Sequence, residues 1–439
     1  MEPLFKSPRG SYHFFGYYDK SPFDVDNVRM LSQRSAFMDR MPGKDDALDI
    51  GYFDWRHGED FIRLTETRAW NWQQGCMLQW AGPDFRTNII YNDRIGGKFV
   101  SVLMNVETKE RTILPMAVYS MHPSGKYAVC IDNERHYWFR GGYSYQGVEN
   151  PDKRQALDER DGIWLLDIDR RAVTQIINIK DLLGVNPSSG MDGAIHYLEH
   201  LMFSPNGERF CFLHRWQMED GGIYARLFTA SKNGNDICLL NDSGRVSHFS
   251  WRNNHEILAW CGLATAANRL RKHKILAKYI IKPILPLYHK LVRERSAIRS
   301  LVTGDSYVLF TDRASEKARV YPELLKEDGH PSFCPRNTEW FVTDTYQDSH
   351  NYRYLFLVNI VSGEKVDLAR LRSSPDMDNS PIRCDLHPKW SFDGRYVCID
   401  TVHDGGRQMH VFDVSDVISA DQQLGRFPGY TEVNGISND

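Results

Sequence analysis

Three stretches of this chain share one grammar: an apolar strand, a Pro-x-Gly or Asp-Gly turn, then a second apolar strand. They are MHPSGKYAVCID (121–132), FSPNGERFCFLHRW (203–216) and WSFDGRYVCIDT (390–401). Each turn holds a residue that accepts positive φ or fixes it, and its flanks alternate with the period of two that a half-buried strand requires. Between these hairpins lie strands of the form apolar–Asp–apolar, such as GIWLLDIDRRAVTQI and MHVFDVSD. A unit of this kind cannot bury both faces alone, and repeated side by side it builds the four-stranded blades of a propeller. Seven units can be counted, beginning near Tyr12, Trp72, Val118, Leu201, Ser247, Gly329 and Arg383. The last strand, within 408–414, then needs an N-terminal segment beside it to close the ring and remove its open edge. The expectation is an all-β fold, one seven-bladed β-propeller over 1–439, with a pair of β-sandwiches as the competing arrangement.

The 439 residues are 41% hydrophobic and 12% aromatic, enough apolar surface for a core of that size. A net charge of −3 gives no reason to expect a nucleic-acid partner. No secretory signal is read at the N-terminus, and no apolar run reaches the roughly 18 residues of a spanning helix. The eight cysteines are scattered, and Cys130, Cys211 and Cys398 sit inside strands, which fits a reducing compartment without a disulfide framework. A cytoplasmic location is expected. One segment breaks the β pattern. Residues 268–300, within an insertion placed at 264–302, carry ten Lys/Arg against one acid, hence +9. They read as amphipathic helix kinked near Pro283 and Pro286. Such a basic, apolar-faced segment suits the surface of an anionic membrane, making the protein peripheral there, or else packs on a blade rim. Residues 417–439 read as a loosely ordered tail.

Propeller ligands meet the channel where inner strands begin, so polar residues there are the first candidates. AWNWQQGCMLQW (69–80) places Trp72 among Gln73, Gln74 and Gln79, aromatic faces beside amides that suit stacking and hydrogen bonding to sugars. The competing use is core tryptophans with glutamines bound to backbone. IDNERHYWFRGGYSYQG (131–147) gathers Arg135, His136, Arg140, Tyr143 and Tyr145, groups able to move protons beside an anionic substrate. AIHYLEHLMFSPNGERFCFLHRW (194–216) holds His196, Tyr197 and His200, with Arg215 returned towards His200 by the hairpin. DGHPSFCP (328–335) and RCDLHP (383–388) each place a His-Pro ahead of a strand. Brought together, His330, Cys384 and His387, with Cys334, Asp344 or His403 nearby, offer a nitrogen and thiolate set. That set favours zinc, with manganese or calcium as alternatives.

Seven motifs in order, FFGYYDKSPFD, WNWQQGCMLQW, HLMFSPNGERFCFLHRW, DGHPS, TDTY, RCDLHPKW and GGRQ, resemble the seven-bladed ulvan lyases and, more distantly, oligogalacturonate lyase. The likeness runs from residue 12 to about 414, leaving out the basic insertion. It implies cleavage of a uronate-containing glycan by β-elimination. By resemblance His200 and Arg215 match the base and the carboxylate neutraliser, with Tyr143, Tyr145 or His136 as acid. The first family carries a structural zinc and the second a catalytic manganese, and His330, Cys384 and His387 fall in the comparable region. Two functions stand against each other: a lyase acting on an acidic oligo- or polysaccharide, and a non-catalytic propeller binding a glycan or protein during envelope or capsular polysaccharide assembly. The first needs a base and a carboxylate neutraliser in one cleft, and the second needs only aromatics and amides.

Overall fold

In a computed structural model, which describes residues 1–218, 222–262, 304–377 and 380–420, the chain forms seven four-stranded antiparallel sheets. The sheets are the blades of a propeller. Their first, innermost strands are Tyr12–Phe14, Gln79–Trp80, Ser120–Met121, Ile195–Phe203, Val246–Trp251, Ser332–Phe333 and Lys389–Trp390. Each start read from the repeats lies in or shortly before one of them. The ring closes through the termini: Phe5 and Lys6 pair with Val411 and His410, so the N-terminal strand is the outer strand of blade 7. Closure leaves no blade with a missing strand, which is how the fold avoids a free inner edge.

Apolar residues of adjacent blades mesh into the core, and a recurrent indole contact ties blade to blade. Trp80 donates to the Pro22 carbonyl at 2.9 Å, Trp251 to Met202 at 3.1 Å and Trp390 to Ser332 at 2.8 Å. In each case the tryptophan ends an inner strand and reaches the preceding blade. Buried indole N–H groups need such partners, so these contacts fix the blade spacing as well as filling it. A short helix, Asn133–Arg140, interrupts blade 3, capped by Asp132, whose carboxylate accepts from the backbone of Glu134 and Arg135. All eight cysteines are free thiols. Among the described residues no helix is long and apolar enough to cross a membrane. The basic segment 268–300 lies outside the described residues. The start of the expected loose tail is instead a helix, Ser415–Ala420, whose Val417 and Ile418 join the blade 6–7 core; residues 421–439 lie outside the described residues.

Candidate active site

Blades 4, 5, 6 and 7 each send one histidine, His200, His248, His330 and His387, to the channel. Each precedes a buried aromatic by three residues: Phe203, Trp251, Phe333 and Trp390. The aromatic packs between blades, and the histidine is thereby set at the inner end of the strand. Ring centroids of His248 and His330 are 4.2 Å apart, those of His330 and His387 4.4 Å. Blade 1 completes the group. Tyr17 lies 5.0 Å from His200 and 5.1 Å from His387, ring centre to ring centre, and its hydroxyl hydrogen-bonds His200 Nδ1. Tyr18 packs 5.4 Å from His330. His200 and His387 both have positive φ, 55° and 43°. At His200 this sits in a bulge between Glu199 and Met202 that turns the imidazole out of the regular alternation.

The ligand atoms of His330, Asp385 and His387 lie within 4.8 Å of one another. Their second partners set the tautomers. His330 Nδ1 donates to Asp344, 2.9 Å from Oδ1, which leaves Nε2 as an acceptor. His387 Nδ1 donates to the Gly16 carbonyl at 3.1 Å, and its buried Nε2 has no hydrogen-bond partner among the described residues. Imidazoles held from behind by a carboxylate or carbonyl, with the other nitrogen unprotonated, are the arrangement of metal-ligating histidines. Burial first, then the neighbouring His330, Lys389, His248 and Arg383, push the His387 pKa well below the usual histidine range, so the lone pair is available. Burial raises the Asp385 carboxyl, but Arg353 and Arg383 outweigh it and hold the group at about 2. Two nitrogens and a carboxylate oxygen fit a divalent first-row transition ion.

Cys384 does not join this set. Its side chain packs with Met377 and Val402, and its sulfur is not among the ligand atoms that meet there; burial pushes the thiol up to about 11. Asp385, one residue on, takes the place expected for it. Without sulfur the preference for zinc is lost. Cys334 is buried in the blade 6–7 core, and His403 Nδ1 accepts from the Arg372 backbone at 2.9 Å. Asp344 belongs to the site, behind His330.

A second group of charges adjoins the first. Glu199 is fully buried and forms an ion pair with Arg215 through Oε1, which is also 3.4 Å from His200 Nε2. Its Oε2 is 3.2 Å from His136 and 3.7 Å from Arg140. Burial raises this carboxyl, but Arg140, Arg215 and His136 together hold it well below the usual range. His200 is driven well below the usual range by burial and then by Arg215, His248 and His330, leaving a neutral imidazole. Arg215 also lines a cleft of about 620 Å³ between blades 4, 5 and 6, together with Asp328 and Tyr346, which face His248.

Of the residues expected from sequence, His200, Arg215, Tyr143, His330 and His387 converge. Tyr143 lies 6.1 Å from His200, ring to ring, and its hydroxyl accepts from Arg383 at 2.7 Å. His136 stands behind Glu199 rather than at the opening. The others are struts. Tyr145 is buried against Phe99, with its hydroxyl accepting from Asn92 at 2.9 Å. Trp72 is core, packed on Phe14, Phe37 and Trp70, with its indole donating to the Arg40 carbonyl at 2.7 Å. Gln79 exchanges hydrogen bonds with the backbone of Met77 and Met121. Gln73 donates to the Arg383 carbonyl at 3.0 Å, and Gln74 to the Tyr119 hydroxyl at 2.6 Å; both are buried. Arg135 gathers the carbonyls of Lys153, Gln155, Ala156 and His196 and pairs with Asp161 at 2.9 Å. His196 bridges His214 at 3.0 Å and the Met191 carbonyl at 2.9 Å, and Tyr197 stacks on Phe139. Missed altogether were Tyr17, Glu199, His248, Asp328 and Asp385. The His-x-x-aromatic register would have found His248.

No protein-family model and no curated protein matches this sequence. Solved structures do. An oligogalacturonate lyase in complex with manganese superposes with a TM-score of 0.60 over 94% of this chain and 93% of that one, at 13% identity. This chain has the fold of oligogalacturonate lyase. A second such lyase, from Vibrio parahaemolyticus, gives a TM-score of 0.59 at 11% identity, again over 94% and 93%. A prolyl endopeptidase covers 92% of this chain but only 47% of its own, with a TM-score of 0.49.

Proposed function

We propose that this protein is a lyase that cleaves an acidic, uronate-containing glycan by β-elimination. The observation that carries the reading is the meeting of His200 and Arg215 on Glu199, beside the His330–Asp385–His387 group. In such a reaction a base removes the proton at C5 of the uronate. The electron pair becomes the C4–C5 double bond, the C4–O bond breaks, and the leaving oxygen takes a proton. His200, neutral and buried, is the base: Glu199 at Nε2 favours the imidazolium that forms, and Nδ1 takes the C5 proton once the Tyr17 hydroxyl that meets it gives way to the substrate. Arg215, fixed through Nε by Glu199, presents its guanidinium to the substrate carboxylate, whose neutralisation makes the C5 proton removable. Tyr143, with Arg383 on its oxygen, returns the proton. His330, Asp385 and His387 would hold a divalent ion, whose charge adds to that neutralisation when bound. The fold likeness to an oligogalacturonate lyase in complex with manganese supports the same substrate chemistry.

The test is incubation with uronate oligosaccharides, following the ultraviolet absorbance of the new double bond. His200→Ala should lower that rate by about 10²–10⁴ while leaving the fold intact. Unchanged turnover in this variant would move the base elsewhere. Tight binding of the same glycans with no absorbance change would replace the lyase by a glycan-binding propeller.

A further inference from the structure

The segment that follows the first inner strand crosses the channel and touches every blade. The N–H groups of Phe15 and Gly16 donate to Asp400 of blade 7 at 2.9 and 3.0 Å. Gly16, at φ 113°, lies so close to the Gln74 backbone of blade 2 that an added Cβ would stand 2.8 Å from it. Tyr17 meets His200 of blade 4. Tyr18 exchanges hydrogen bonds with the Phe249 backbone of blade 5 and packs on His330 of blade 6. Lys20, paired with Asp19 at 2.7 Å, lies 5.7 Å from the Tyr119 ring of blade 3. Residues 15–20 are thus held from all sides. Most of these contacts are struts, and Tyr17 differs in placing its polar atom on the base. Because Glu199 faces His200 Nε2 and keeps the proton there, Nδ1 accepts from the Tyr17 hydroxyl. The two residues are equally enclosed, 3% and 4% exposed, so a substrate atom that reaches Nδ1 also meets that hydroxyl. The Tyr17 ring also lies 5.1 Å from His387, between the base and the group that would hold the ion.

We propose that Tyr17 is a further catalytic residue, whose hydroxyl turns from His200 Nδ1 to the uronate carboxylate and stabilises the charge that develops there. This rests on the reading of the protein as a uronate lyase. When the C5–H bond breaks, its proton goes to Nδ1 and its electron pair spreads onto the carboxylate carried by C5. The pair becomes the C4–C5 double bond as the C4–O bond breaks. Tyr17 keeps its own proton throughout and only donates a hydrogen bond. The carboxylate is one bond from C5, so a donor just displaced from Nδ1 is within reach of its oxygens. In the ground state one hydrogen bond replaces another, and substrate binding gains little. As C5 loses its proton those oxygens become more basic and the bond strengthens, which lowers the barrier rather than the dissociation constant. The crossing segment fixes the ring beforehand, so little reorganisation is needed at that moment.

Initial rates of double-bond formation by the full chain test it, with digalacturonate and with a disaccharide carrying rhamnose on O4 of glucuronate. Tyr17→Phe keeps the ring and removes only the hydroxyl. It should lower kcat by about 10²–10³, the effect of removing one donor to a developing oxyanion. KM should stay within about threefold of wild type, because the ground state loses little. A fall in kcat of less than about tenfold, or a loss carried by KM instead, overturns the proposal. So does a variant that no longer unfolds cooperatively on heating, since Tyr17 would then be packing and nothing more. Product formed by wild type and undiminished in Tyr17→Phe removes this role and leaves the lyase standing. No product from either disaccharide with wild type removes both.

Discussion

Blade 2 on one side of the channel and blades 6 and 7 on the other both put polar side chains beside buried aromatics, and they use them in opposite ways. In blade 2 the indoles of Trp72 and Trp80 donate to the carbonyls of Arg40 and Pro22, and Gln79 is tied to backbone at both ends of its amide. In blades 6 and 7 His330 and His387 fix one ring nitrogen to Asp344 and Gly16, and His387 keeps the other buried without a partner among the described residues. A buried polar group with all its partners inside the protein is a strut. A nitrogen left over costs stability unless something else occupies it, and it marks a site where other ligand atoms converge on it, as those of His330 and Asp385 do on His387.

The sharpest way to break this comparison is to ask which side binds an ion. Purified protein should carry close to one equivalent of a divalent transition metal by elemental analysis, and His330→Ala with His387→Ala should carry none. Cys384→Ser should keep the full equivalent, because Cys384 packs with Met377 and Val402. Asp344→Asn should weaken binding by about 10–100-fold through the orientation of His330. Metal that is lost with Cys384 but retained with the histidines removed would return the thiol to the site and reverse the contrast.

On the blade 2 side the expected effect is on stability. Trp72 touches Phe14, Phe37 and Trp70 and lies under the Arg407 guanidinium at 4.1 Å. Trp72→Ala should therefore cost about 3–5 kcal/mol in denaturant unfolding, as large aromatic truncations in cores do. Calorimetric affinity for digalacturonate, measured where the variant remains folded, should stay within about twofold of wild type. A stable variant that no longer binds the glycan would make Trp72 a sugar platform after all.

The propeller was legible because its signal is local: a turn and two alternating strands, repeated often enough that seven starts could be placed. The site was legible only where a motif repeats with the blades. His330 and His387 stand in matching His-Pro pairs, and His200 lies on the hairpin that returns Arg215 to it. What could not be read is which neighbour completes each group. Cys384 and Asp385 are adjacent in sequence, and only the folded chain shows that Cys384 packs with Met377 and Val402 while Asp385 meets His330 and His387. Glu199 sits in the middle of an apolar strand, where nothing local shows that Arg140, Arg215 and His136 arrive from elsewhere. Tyr145, Arg135 and His196 looked chemical by composition, yet their partners are backbone groups and buried side chains that only the fold supplies.

The smallest effect belongs to the histidines at the closure of the ring. His13 of blade 1 and His410, paired with Lys6 in the terminal join, are buried, and both pKa values are pushed down to about 4. Burial is the main cause in each, followed by Arg34 for His13 and by Lys6 for His410. Both histidines are neutral in the folded protein at about pH 5.5, whereas the unfolded chain, with an ordinary histidine pKa near 6.5, takes up protons there. The unfolded state binds more protons across this window, so stability is full above about pH 6.5 and falls as the pH drops towards 4. Between about pH 7 and pH 5.5 each histidine should cost about 1.3 kcal/mol, because the lower pH lies roughly one pH unit beneath the unfolded value. Urea unfolding of the metal-free protein at the two pH values measures the sum over these two and the other histidines that burial holds below the usual range, His200 and His387 among them. His410→Leu, which needs no proton and no hydrogen bond, should reduce this loss by about 1.3 kcal/mol, its own share, and leave the blade 4–7 site untouched. An undiminished loss in His410→Leu would mean that His410 takes no part in it, and the ring closure would then be no weaker in acid than the rest of the fold.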